Sequence, residues 1–298
     1  MKLFLLVSDR RSGTNNLGYM LGQYPEVFSA GEIFHHKTTY GGFKHFDEYL
    51  GAFAARIGLD PGLDAAARDA AVTGYTHAHP IGTVEALLDF AASKGKAYTI
   101  FKIFPGHLRS WQLDRIIGRF RPEVLLLLRT PLEAYVSLQK ANALKAWMFA
   151  DTTGMRVTLD PEDYVAWHDK VSSFYRFAIF ASLARGLHPR IIHYDDLYKA
   201  RAAPQEVLAT IFRQMGIPLR AGEIANLEVQ DRGGSVFESI ENFDAFFARL
   251  SQAGGAHRIY QFDLFGRLSY FEYSAKSLLG PLRRRERPGL EAPEPAED

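Results

Sequence analysis

The chain has 298 residues, with 35 basic against 34 acidic side chains for a formal charge of +1, no cysteine, and 13% aromatic residues. That length can bury a sizeable core in one large domain or two small ones. The lack of cysteine excludes a disulfide framework, a thiolate-held metal and a cysteine nucleophile. Near-neutrality argues against a general nucleic-acid binder, which needs a basic stripe.

In chain order, residues 3–7 form an apolar run of strand length. Ser8-Asp9-Arg10-Arg11 follows at once, so the run is too short for a secretory leader and lacks a small-residue cleavage site. No other apolar run approaches the roughly 20 residues needed to span a bilayer, so a cytoplasmic protein without a transmembrane segment is expected. Residues 14–23 read as a helix with Leu17, Met20 and Leu21 on one face, ended by Tyr24-Pro25. A short strand at 27–29 runs into Ala30-Gly31-Glu32. Residues 43–95 are expected to be mainly helical, broken at Asp60-Pro61-Gly62 and closed at Ser93-Lys94-Gly95-Lys96.

A strand at 98–103 stops at Pro105-Gly106, and a helix over 108–119 leads to 124–128. This run is wholly apolar without alternation, as suits a parallel strand covered on both faces. Pro131 opens a helix over 132–143. Asp160-Pro161-Glu162-Asp163 opens another, through Trp167, Phe174 and Phe177 to about 183, with carboxylates placed for the helix dipole. A strand at 191–194 and a helix at 204–215 complete the pattern. Strands alternating with helices predict an α/β fold with a mainly parallel central sheet flanked by helices. One domain is expected over 1–282, with its core in 1–250 and a C-terminal extension in 251–282. The Pro- and charge-rich residues 283–298 read as a disordered tail.

The chemistry concentrates at two strand ends. Ser8-Asp9-Arg10-Arg11-Ser12-Gly13-Thr14-Asn15-Asn16 lies between a strand and a helix. Backbone N–H groups, a helix N-terminus and a basic side chain converge there, which suits a phosphate or sulfate group. It lacks the Gly-Lys pair of a nucleoside-triphosphate loop; the plain alternative is a βα turn with Ser or Thr as helix cap. The apolar strand 124–128 ends in Arg129-Thr130-Pro131, with Ser137 two helical turns on. An arginine at the carboxyl end of a parallel strand faces the crevice where α/β sheets bind ligands.

Together these segments resemble the cofactor-binding elements of the PAPS-dependent sulfotransferases, which move a sulfuryl group from 3′-phosphoadenosine-5′-phosphosulfate to an acceptor. Arg11-Ser12-Gly13-Thr14 is similar to that family's strand–loop–helix motif for the 5′-phosphosulfate. Arg129, Pro131 and Ser137 resemble its Arg-x-Pro…Ser element, whose Arg and Ser grip the 3′-phosphate. Ala30-Gly31-Glu32-Ile33-Phe34 resembles the Gly-Glu-x-Phe segment of bacterial carbohydrate sulfotransferases of the nodulation-factor and trehalose types. His193-Tyr194-Asp195-Asp196-Leu197 and Ile240-Glu241-Asn242-Phe243-Asp244 resemble later family segments, so the likeness runs over roughly residues 2–250.

The resemblance implies a P-loop-like three-layer fold, PAPS as co-substrate, no required metal, and a carbohydrate or glycolipid acceptor, with no nucleic acid as partner. It implies Glu32, Arg11 and Lys102 as catalytic residues. Cofactor binding falls to Arg11, Ser12, Gly13, Thr14, Asn15, Arg129, Ser137 and, by a looser match to the capping loop, Arg232. Arginine at position 11 keeps the charge of the family's lysine but does not give up a proton near neutrality. Phe104 stands where other members carry a catalytic histidine, leaving Glu32 as base and His107 in reserve. His35 and His36 suit acceptor lining or the plain surface, and His77-x-His79 has no metal-ligand partner in the sequence. The aromatic run 262–282, with Arg283-Arg284-Arg285 after it, reads as a packed C-terminal element, with an oligomer contact or peripheral membrane contact as the alternatives. The rival functions are a P-loop kinase-like phosphotransferase and a non-catalytic nucleotide-binding protein of the same fold. The oligomeric state is not written in the sequence.

Overall fold

The opening apolar run becomes β1 (Lys2–Ser8), the central strand of a five-stranded sheet. The computed structural model describes residues 1–37, 45–145, 151–198, 204–214, 217 and 235–265. Along the chain β1 is followed by α1 (Thr14–Gly22), β2 (Val27–Ser29), α2 (Phe46–Arg56), α3 (Ala65–Ala78) and α4 (Pro80–Ser93). Then come β3 (Tyr98–Ile103), α5 (Ser110–Phe120), β4 (Glu123–Leu128), α6 (Pro131–Leu144) and α7 (Pro161–Leu183). β5 (Arg190–His193), α8 (Tyr194–Tyr198), α9 (Pro204–Gln214) and α10 (Phe243–Gln252) follow.

The strand order is β2-β3-β1-β4-β5 and every pairing is parallel. The chain builds β2 and β3 on one side of β1, then crosses to lay β4 and β5 on the other. Such a switch in direction opens a crevice at the carboxyl ends of the central strands. The carboxyl ends of β1, β3 and β4 therefore lie together, with Arg11 in the loop after β1, Lys102 near the end of β3 and Arg129 directly after β4.

Burial on both faces explains the unbroken apolar strands. Leu3, Leu5, Val7, Phe101, Ile103, Val124 and Leu126 face one core with residues of α2, α4, α5 and α7. The intervening Phe4, Leu6, Ile100, Leu125 and Leu127 face a second core with α1, α8 and α9. The alternation follows the period of two along a strand, and it makes three layers, helix–sheet–helix. A third cluster joins α6, α7 and α10 through Leu132, Tyr135, Tyr164 and Phe246.

Element boundaries follow the local chemistry. At the start of α7 the Asp160 carboxylate accepts the Glu162 and Asp163 N–H groups at 2.8 and 3.0 Å, with Pro161 in the first turn. The fifth strand corrects the sequence reading: it ends at His193, and Tyr194 opens α8 instead of closing the strand. Phe262, in the segment read as a packed C-terminal element, is buried against Trp167, His168 and Tyr175. The rest of that segment beyond residue 265, and the tail, lie outside the described residues. Among the described residues no helix is long and apolar enough to cross a membrane.

Candidate functional site

The loop after β1 is braced from below. Ser8 Oγ donates to the Leu127 carbonyl at 2.7 Å, tying β1 to β4. The Asp9 backbone N–H donates to the Tyr175 hydroxyl oxygen at 2.9 Å, and the Asp9 carboxylate accepts from Trp167 Nε1 at 3.1 Å. Asp9 is buried, which pushes its carboxyl up from its ordinary 3.8 to about 6 despite hydrogen bonds that favour the anion. Two aromatic residues of α7, eight positions apart, thus hold the loop's entrance.

Past this brace the backbone turns through the left-handed region at Arg11 (φ 65°) and again at Gly13 (φ 81°). Glycine is required at 13 on two counts. Its φ disfavours a side chain, and a Cβ there would lie 2.8 Å from the rings of both Tyr194 and Tyr198. Tyr198 also donates its hydroxyl to the Gly13 carbonyl at 3.1 Å. Gly13 itself is the residue before α1, and no side chain caps that helix. The plain reading of Ser or Thr as cap therefore does not hold, and the first-turn N–H groups lack the usual side-chain acceptor. Thr14 is buried as the first helical residue, and the buried Ser12 hydroxyl lies beside Tyr175 without forming a hydrogen bond of good geometry.

On the β4 side the loop meets the second motif. Arg11 Nε donates to Ser137 Oγ at 3.1 Å, and Arg129 Nη1 donates to the Arg11 carbonyl at 3.0 Å. Arg129 also pairs with Glu133 at 3.3 Å and lies over the Tyr194 ring, 4.4 Å from its centroid. Burial, and then the neighbouring Arg129 charge, push the Arg11 guanidinium below its ordinary range. Two guanidinium groups and a hydroxyl thus converge from positions 118 and 126 residues apart.

On the β3 side a different cluster forms. Beyond β2 the chain keeps to β3: Ala30 N–H donates to the Ile100 carbonyl at 2.8 Å, and Lys102 N–H to the Gly31 carbonyl at 2.9 Å. Gly31, at φ 69°, turns the chain so that Glu32 meets Lys102, with Oε1 3.0 Å from Nζ. Lys102 Nζ also donates to Asn15 Oδ1 in the first turn of α1. Lys102 is only 5% exposed. Burial lowers its ammonium from the ordinary range, and the Glu32 charge and hydrogen bond oppose that.

The turn at Pro105-Gly106 brings His107 back to this cluster, its Nε2 3.7 Å from Glu32 Oε2. Burial and nearby positive groups push its imidazole down to about 3. His35 packs edge-on to His107 and stacks near His36, at 5.7 and 4.6 Å between ring centres. His77 Nε2 reaches the His35 carbonyl at 3.4 Å, and His79 packs on Tyr75.

The structure therefore gathers Glu32, Lys102 and Asn15 at one side of the loop and Arg11, Arg129 and Ser137 at the other, with Ser12, Gly13 and Thr14 between them. Arg232 lies outside the described residues. The sequence reading placed Asp9 in the loop motif and Tyr194 in a family-like segment, but it gave neither of them, nor Trp167, Tyr175 and Tyr198, a role in shaping the loop.

Compared with known proteins, the chain matches no family model and no curated protein. Among solved structures it is similar to the sulfotransferase domain of the olefin synthase from Synechococcus PCC 7002, at 19% identity and a TM-score of 0.42, with 74% of each chain covered. It is also similar to a sulfotransferase from Alicyclobacillus acidocaldarius, at 12% identity and a TM-score of 0.38, covering 87% of this chain and 96% of that one. Likeness at this level assigns no residue a role.

Proposed function

We propose that the protein is a sulfotransferase that moves a sulfuryl group from PAPS to a hydroxyl of a carbohydrate or glycolipid acceptor. The observation that carries this reading is the convergence of Arg11, Arg129 and Ser137 on one flank of a glycine-turned loop, with a Glu32–Lys102 pair on the other. The first set fits a phosphate group, because two guanidinium side chains whose charges act on each other gain from an anion. The second set fits proton removal and charge stabilisation.

In the reaction the acceptor oxygen attacks sulfur while the sulfur–oxygen bond to the 5′-phosphate breaks. The bonding pair stays on the phosphate of adenosine 3′,5′-bisphosphate, and Glu32 takes the acceptor proton. Glu32 acts as general base. Lys102, held between Glu32 and Asn15, places positive charge at the sulfuryl oxygens. Arg11 and the loop amides stabilise the leaving phosphate, while Arg129 with Ser137 selects for the 3′-phosphate that ATP lacks. Arg129 is braced for this by Glu133 and Tyr194.

The test is transfer of labelled sulfate from PAPS to a panel of cell-envelope glycans and glycolipids. Label moving to a glycan together with release of the bisphosphate supports the proposal. Phosphoryl transfer from ATP–Mg²⁺ with no sulfuryl transfer would instead select the kinase-like alternative.

A further inference from the structure

His107 is 1% exposed, and its two ring nitrogens differ in what they meet. Nδ1 accepts the Phe104 backbone N–H at 3.3 Å, so in the neutral ring the proton belongs on Nε2. That Nε2 is buried and has no hydrogen-bond partner. It points to the side of the Glu32 carboxylate that Lys102 does not occupy: Oε2 is 3.7 Å from His107 and Oε1 is 3.0 Å from Lys102.

We propose that His107 is a positioning residue whose Nε2–H donates to Glu32 Oε2, so that His107 and Lys102 together clamp the carboxylate in the orientation in which it takes the acceptor proton. The inference rests on Glu32 being the base. A buried donor with no acceptor is unfavourable, and Glu32 is the carboxylate within reach. A small rotation of Glu32, whose side chain is 17% exposed, closes the remaining gap.

The surroundings keep the ring a neutral donor. Burial is the main cause, and the charges of Arg10 from the loop and Lys102 from β3 add to it, as do His35 and His36 after Glu32 when they are protonated. His77 of α3 supports His35 through its carbonyl. With Nδ1 engaged by the backbone and Nε2 already carrying hydrogen, the imidazole has no free lone pair to act as a base. This separates the roles of the two candidates: Glu32 takes the proton and His107 aims it.

The test begins with long-range ¹H–¹⁵N spectra of the labelled protein saturated with adenosine 3′,5′-bisphosphate, with His107 assigned by its loss in His107→Gln. The expected result is a neutral Nε2–H tautomer from pH 6 to 8, whose Nε2 resonance moves in Glu32→Ala. An Nδ1–H tautomer, an imidazolium at pH 6, or a resonance indifferent to Glu32→Ala overturns the proposal. Turnover is then followed as sulfate released from labelled PAPS to water or to an accepting glycan. His107→Ala is expected to lower kcat about thirtyfold with bisphosphate affinity within about twofold. His107→Gln, which keeps an N–H donor, is expected to recover most of the loss. Equal rates in wild type and both variants also overturn it. Full activity in Glu32→Gln would instead remove the base assignment, and the spectra would still report the His107–Glu32 contact by themselves.

Discussion

The two flanks of the β1 loop are built on opposite plans. On the β3 flank a carboxylate and a buried ammonium neutralise each other, with Asn15 as a third partner and His107 beside them. On the β4 flank the Arg129 guanidinium bonds the Arg11 main-chain carbonyl and its charge acts on the Arg11 side chain, with Glu133 paired to Arg129 from the side. The first arrangement holds its groups in place without a ligand, as a site that handles a proton needs. The second gains most from an anion that brings two negative charges or more. On the function proposed above, one loop separates a preorganised reacting side from a side that takes up the anionic substrate.

The largest effect should come from breaking the reacting side. Glu32→Gln is expected to lower turnover by about a thousandfold while the bisphosphate still binds, because the Arg11–Arg129 flank is untouched. Lost binding with lost turnover in that variant would show that the flanks are not separable. Next, Arg129→Ala should weaken bisphosphate binding roughly thirtyfold in calorimetry, and adenosine 5′-phosphosulfate binding much less. Equal losses for both ligands would sink the 3′-phosphate role.

The loop's own foundations give smaller effects on stability. Asp9 keeps its proton in the native state up to about pH 6, whereas the unfolded chain releases it near 3.8. Between those values the native state holds the extra proton, so stability falls as pH rises through the window, and the full cost persists above it. Asp9→Asn, which still accepts from Trp167, should therefore raise stability by about 3 kcal/mol at pH 7.5. Urea unfolding should show that gain disappearing below about pH 4, and a gain independent of pH would contradict the account. Gly13→Ala should cost about 1–2 kcal/mol through its positive φ and the two tyrosine rings, read as a lower midpoint in the same titration.

Much of the framework was legible because its signals are local. The wholly apolar run at 124–128 suits a parallel strand covered on both faces, and Pro131 and Asp160-Pro161 mark helix starts by geometry. Glu32 and Lys102 were each readable as strand-end residues of a matching motif. Their contact was not, because it depends on β2 and its continuation pairing with β3. The Arg11–Ser137 bond was hidden for the same reason, being set by a left-handed turn at Arg11 and by packing across 126 residues. Tyr194 shows the opposite error. Its place after Ile191-Ile192-His193 reads as strand, yet the chain turns there to lay the ring over Arg129 and against the loop. His107 carried one usable signal: a Pro-Gly turn just past a strand end can fold the next side chain back onto that end.

The proposed hold of the loop and its β4 flank on a 3′-phosphorylated adenosine is open to calorimetric titration of the protein with adenosine 3′,5′-bisphosphate and, separately, with ATP–Mg²⁺. The prediction is saturable binding of the bisphosphate that Arg129→Ala weakens, with ATP–Mg²⁺ at least tenfold weaker, a margin of about 1.4 kcal/mol. Preferential binding of ATP–Mg²⁺, with no heat from the bisphosphate, would contradict it.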